Sequence, residues 1–151
     1  MQIFVVDNDA DSRYLCKILF ESYGATVTTT EFVADALTLL DSFTPDILVC
    51  EIRIMDEDIW PLIHQIRAVS LSRSHIIPIL LASAYCRASF AQDFIANAES
   101  HLLKPFDVES LVDEVWNLVH LSKTFFQPHI QDWVANHKTW EKHQTAEISL
   151  A

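Results

Sequence analysis

Apolar residues fall along this chain in two alternating rhythms. Short runs of aliphatic and β-branched side chains occur at Ile3 to Val6, Thr26 to Thr29, Ile47 to Cys50, Ile76 to Ala82 and His101 to Leu103. Each is three to seven residues long and reads as a buried strand. Between them the apolar positions recur every three or four residues, the period of a helix with one buried side. After Asp11, Leu15, Ile18 and Leu19 share a face, and Gly24 stands where that helix needs a left-handed closing residue. Val33, Ala36, Leu37 and Leu40 make a second face, with Thr30 placed to cap it; Ile59, Leu62, Ile63 and Ile66 make a third. A fourth helix is expected over 88–96, carrying Phe90, Phe94 and Ile95 and closed by Asn97 in the left-handed conformation. Asp107 caps a fifth, with Val108, Leu111, Val112, Val115 and Val119 turned inward. Such strict alternation predicts an α/β fold with a doubly wound parallel sheet of five strands, right-handed crossovers and helices on both faces.

The rhythm breaks after His120. Residues 122–127 read as a linker, and Pro128 opens a further helix with Ile130, Trp133, Val134, His137 and Trp140 along one side. The chain therefore divides into a domain over 1–121 and a linker with a C-terminal helical extension over 122–151. Trp133 and Trp140 pack either on that domain or on another protein.

Composition narrows the function. A formal charge of −11, from 21 acids against 10 bases, repels a nucleic-acid backbone and points to protein partners. Cys16, Cys50 and Cys86 show no paired or metal-binding spacing, which suits reduced thiols. No apolar run reaches the roughly 20 residues of a membrane span, and the N-terminus lacks a basic signal region, so a cytoplasmic protein is expected. With Gly24 its one glycine, the chain lacks the loops that cradle phosphates, which argues against a flavin or nucleotide binder.

Ligands of open α/β sheets sit at the carboxyl ends of the strands. Asp7 and Asn8 follow strand one, Glu51 strand three, Ser83 strand four and Lys104 strand five. Together with Val5-Val6-Asp7-Asn8-Asp9, Asp11-Ser12-Arg13, Pro45-Asp46, Pro78 to Ala84 and Leu103-Lys104-Pro105-Phe106, this order resembles the receiver domain of two-component response regulators from Ile3 to about Leu121. The resemblance implies a flavodoxin-like fold and a phosphoryl group taken from a histidine kinase onto an aspartate at the position of Glu51. It implies a magnesium site at Asp7, Asn8, Glu51 and the backbone carbonyl of Arg53, phosphate contacts from Ser83 and Lys104, and a rotating switch residue at His101. It also implies a cis bond before Pro105. Partners would be a histidine kinase or a downstream target, docking on helix four, strand five and helix five, or a second copy of the chain.

Two replacements change this expectation. Glutamate for aspartate moves the nucleophile by a methylene, a displacement that can cost on the order of a hundredfold in rate. Asn8, a neutral amide where the family has a second acid, weakens attraction for a hard divalent ion, so magnesium is expected to be absent or loosely held. Asp9 should point away. Glu51 is long enough to reach Lys104 or Ser83 and stand in for a phosphorylated aspartate. The expected function is thus a phosphorylation-independent pseudo-receiver working by protein contact, not an enzyme; the alternative is a magnesium-dependent phospho-acceptor using Glu51 or Asp56. Blander roles stay open: Ser83 capping helix four, and His101 merely half-buried on an edge strand.

Overall fold

A computed structural model of the protein describes residues 1–122. Strands β1 (Gln2–Val6), β2 (Thr26–Thr30), β3 (Ile47–Cys50), β4 (Ile79–Ser83) and β5 (Ser100–Leu103) form one parallel sheet in the order β2-β1-β3-β4-β5. Helices α1 (Ala10–Ser22), α2 (Val33–Leu39), α3 (Trp60–Arg73), α4 (Gln92–Ala96) and α5 (108–122) connect and flank them. A single 3-10 turn, Ser89–Ala91, leads into α4. The expected extension, with Pro128, Ile130, Trp133, Val134, His137 and Trp140, lies outside the described residues.

Successive strand residues feed opposite layers, as a two-residue repeat requires. Phe4, Val6, Leu48, Cys50, Ile79 and Leu81 pack beneath α2, α3 and α4, while Ile3, Val5, Ile47, Val49, Leu80 and Ala82 pack beneath α1 and α5. Both faces are covered, which is why the strands read as continuous apolar runs. The strand order reverses direction between β1 and β3, and a crevice opens at their carboxyl ends. Asp7 and Glu51 lie there.

Several local expectations are met and several are corrected. Gly24 adopts φ +86° just after α1, and Ile59, Leu62, Ile63 and Ile66 are all buried. The Asp107 carboxylate accepts from the Ser110 amide at 2.7 Å, capping α5. However, α1 buries Cys16 and Phe20, leaving Leu15 and Ile18 exposed. The helix carries two apolar stripes, and the point from which Asp9 launches it sets which one meets the sheet. Val108, in the first turn of α5, is likewise exposed. Asn97 has φ −105° rather than a left-handed φ, and its side-chain amide donates instead to the Asp93 carbonyl at 2.7 Å. Strand β4 begins at Ile79, not Ile76, since Pro78 cannot donate to the ladder. Thr30 lies inside β2 and does not cap α2; the Glu57 carboxylate does, accepting from the Val33 and Ala34 amides at 3.0 and 3.2 Å.

A buried ion pair was not foreseen: Arg67 of α3 meets Glu99 at 2.9 Å and donates to the Asn97 carbonyl, while Glu99 accepts from the Ile79 amide. This ties α3 to the start of two strands. Among the described residues no helix is long and apolar enough to cross a membrane. At Gly24 an added Cβ would meet nothing within 4 Å, so the left-handed φ alone sets the cost of a side chain. Gly24→Ala is therefore expected to destabilise by about 1 kcal/mol, read as a lower denaturant midpoint at unchanged slope. A neutral result would show that the turn relaxes.

Candidate functional site

The crevice is built from the loops that leave β1, β3 and β5. Asp7, the first residue past β1, is held from three sides: its amide donates to the Thr30 carbonyl, its carbonyl accepts from Arg13 Nη1 at 2.7 Å, and its Oδ1 accepts from the Asp9 amide at 2.9 Å. Asp9 turns away to cap α1, accepting from Asp11 N–H and the Ser12 hydroxyl, as expected. That hydroxyl holds the Asp9 carboxyl below its usual range.

Glu51 leaves β3 and folds back on its own loop. Its Oε1 accepts from the Ile52 amide at 2.8 Å and faces the Arg53 amide at 3.4 Å. Oε2 lies 3.2 Å from Lys104 Nζ, and the same ammonium is 2.7 Å from Asp7 Oδ2. One cation thus bridges two nearly buried carboxylates. Burial alone would lower the Lys104 pKa, but the hydrogen bond and charge of Asp7, followed by those of Glu51, outweigh it and hold the ammonium above its ordinary value. A peptide bond in the cis form joins Lys104 to Pro105, and the Lys104 amide donates to the Ser83 carbonyl at 3.0 Å.

The structure brings Asp7, Glu51 and Lys104 into contact; other candidates stand apart. The Ser83 side chain is fully buried, and its hydroxyl accepts from the Tyr85 amide at 3.0 Å, closing a turn after β4 rather than capping α4. His101 is exposed, not half-buried, because β5 forms the edge of the sheet. Asn8 Nδ2 faces the Met55 sulfur at 3.7 Å. Arg53 points its guanidinium over two aromatic rings, 5.6 Å from the centroid of Tyr85 and 5.5 Å from that of Phe90. No spacing in the sequence signalled that stacking or the Glu57 cap, since both join segments distant along the chain.

The donor set for a magnesium ion is weakened in this arrangement. Every oxygen of the Asp7 and Glu51 carboxylates already accepts from an amide or from Lys104, and Asn8 brings no charge. A divalent ion would compete with the ammonium, which already supplies positive charge between the acids. Among the described residues no cluster of three or more His, Cys, Asp or Glu is arranged to hold a metal. Beside the pair lies a cavity of about 30 Å³, lined in part by Val5, Cys16, Val49, Cys50, Ala82 and Leu111. That is room for about one water molecule, not for a flavin or nucleotide. Burial pushes the Cys16 thiol up to about 11 and raises those of Cys50 and Cys86 as well, so all stay protonated near neutral pH.

Comparison with known proteins gives a consistent result. The family model described as the response regulator receiver domain matches residues 3–116. A 14.6 kDa protein of Leptolyngbya boryana, encoded in the sodA1 3′ region, is 32% identical over 113 residues, covering 74% of this chain and 85% of the relative. Regulator of RpoS from Escherichia coli is 30% identical over 142 residues, 93% of this chain but 40% of that relative's length. Among solved structures, the receiver domain of a sensor histidine kinase from Pseudomonas aeruginosa PAO1, with magnesium in its active-site cleft, superposes with a TM-score of 0.69 at 18% identity, covering 79% of this chain and 97% of that one.

Proposed function

Because this chain belongs to the response regulator receiver domain family, the signalling module of two-component systems, we propose that it acts as a phosphorylation-independent interaction module in which Glu51 replaces the phospho-acceptor. One observation carries the reading: the Glu51 carboxylate lies 3.2 Å from Lys104, where an aspartyl phosphate would draw the same ammonium. Together with Asp7, an anion built into the chain at position 51 engages the lysine. Its other oxygen is held by the Ile52 and Arg53 amides, which turn the carboxylate back on its own loop and away from an in-line approach to a phosphodonor.

The module then signals by presenting a set surface rather than by turning over phosphate. We place that surface on α4, β5 and α5, where His101 and Val108 are exposed, with a histidine kinase or a downstream protein as partner. The same fold leaves a second reading, an active magnesium-dependent acceptor, supported by the retained Asp7 and Lys104.

Incubation with a small-molecule phosphodonor and magnesium, followed by intact mass, separates the two. The expected result is an unmodified chain. A stable adduct of one phosphoryl group, lost in Glu51→Gln, would establish the second reading instead.

A further inference from the structure

The route from the site to the α4 surface differs from a serine and an aromatic switch acting in sequence. The Ser83 hydroxyl is occupied by the Tyr85 amide, and His101 faces solvent. A different connection is made on the other side of the crevice. The Arg53 amide faces the Glu51 carboxylate, and its guanidinium lies over the Tyr85 and Phe90 rings, which are themselves 5.8 Å apart.

Those two aromatics belong to one tied segment. The Tyr85 carbonyl accepts from the Ala88 amide at 2.9 Å, and the Ala88 carbonyl accepts from the Ala91 amide at 3.1 Å. The Gln92 side-chain amide, in the first residue of α4, donates to the carbonyls of Cys86 and Ala88 at 2.9 and 3.0 Å. A displacement of Tyr85 and Phe90 therefore moves the start of α4. Behind Arg53 the loop is anchored: Ile54 bridges Glu57, Met55 takes φ 53°, and Glu57 is fastened to the first amides of α2. Movement at Glu51 has little room to dissipate toward α3. Arginine suits the link because its flat, weakly hydrated cation spreads over two rings at once, as a lysine ammonium cannot.

We propose that Arg53 is a positioning residue that couples the Glu51 carboxylate to the α4 surface by stacking on Tyr85 and Phe90. The proposal deepens the reading of Glu51 as a fixed setting element and rests on it. In that reading Arg53 carries the setting from the crevice to the docking surface, and its own removal leaves the Glu51 to Lys104 pair in place.

The test is a comparison of backbone amide shifts in the full chain. Glu51→Gln is expected to perturb residues 85–96, and the same substitution made in an Arg53→Ala background is expected to perturb them by less than about half as much. Arg53→Lys should give an intermediate transfer. Equal perturbations with and without Arg53 would overturn the coupling. The phosphodonor assay is run on the same samples: phosphate uptake with an Arg53-dependent shift pattern overturns the fixed-state reading alone, whereas an unmodified chain with an Arg53-independent pattern overturns the coupling alone. Arg53 is exposed, so its variants keep the core intact.

Discussion

Lys104→Met is expected to destabilise the protein by roughly 3 kcal/mol, the low end of the cost of stripping the partner from buried charges. Lys104 Nζ sits between Asp7 and Glu51 at 2.7 and 3.2 Å, and both acids have side chains less than a tenth exposed. Without the ammonium they face each other in a poorly solvated crevice. Methionine fills similar volume, so the loss reads charge rather than packing. A melting temperature about 10 °C lower would accompany it. The pH dependence has a definite sign. Because the folded state raises the Lys104 pKa, its contribution is fully present below the ordinary lysine value of 10.5 and is lost as pH rises through the raised folded value. Wild type and variant should therefore differ at neutral pH and converge at strongly alkaline pH. A difference under about 1 kcal/mol at neutral pH would place the pair among weak surface bridges.

The double variant Glu51→Asp with Asn8→Asp is expected to gain what the wild type lacks. Shortening the side chain at 51 draws its carboxylate back from Lys104 and from the Ile52 and Arg53 amides, to where an aspartate nucleophile would stand. A second carboxylate at position 8, now a neutral amide beside Met55, restores anionic donors for a divalent ion. Phosphorylation by a small-molecule donor with magnesium should rise by about a hundredfold or more over wild type, followed by intact mass over time. Each single variant should gain less, because nucleophile placement and charge neutralisation act together. If the double variant stays as inert as the parent, the cause of inertness lies in the loop that follows β3 and not in these two side chains.

How much of this was legible beforehand varies by element. The five strands, the buried face of α3 and the closing role of Gly24 all follow from local pattern, and the structure agrees with them. The face of α1 is not legible in the same way, because Leu15 and Ile18 form as good a stripe as Cys16 and Phe20, and periodicity carries no information on which stripe meets a sheet. Asn97 failed for a related reason. Its side chain found the Asp93 carbonyl, and its own carbonyl was claimed by Arg67, thirty residues away. Asp9 turned away as the helix register required, whereas Ser83 found a partner, Tyr85, that no motif announces.

By itself, the sequence determined the α/β alternation, the parallel sheet and the residues that end each strand, Asp7, Glu51, Ser83 and Lys104 among them. These depend on repeats of two and about 3.6 residues and on the handedness of L-amino acids, which any short window expresses. Only the tertiary structure decided that Glu51 meets Lys104, 53 positions along the chain, that Glu57 caps α2, and that Arg53 lies over Tyr85 and Phe90. Such contacts depend on how separate elements are placed in space and on which donor reaches an acceptor first. A difference of an ångström decides them, and no local pattern encodes it.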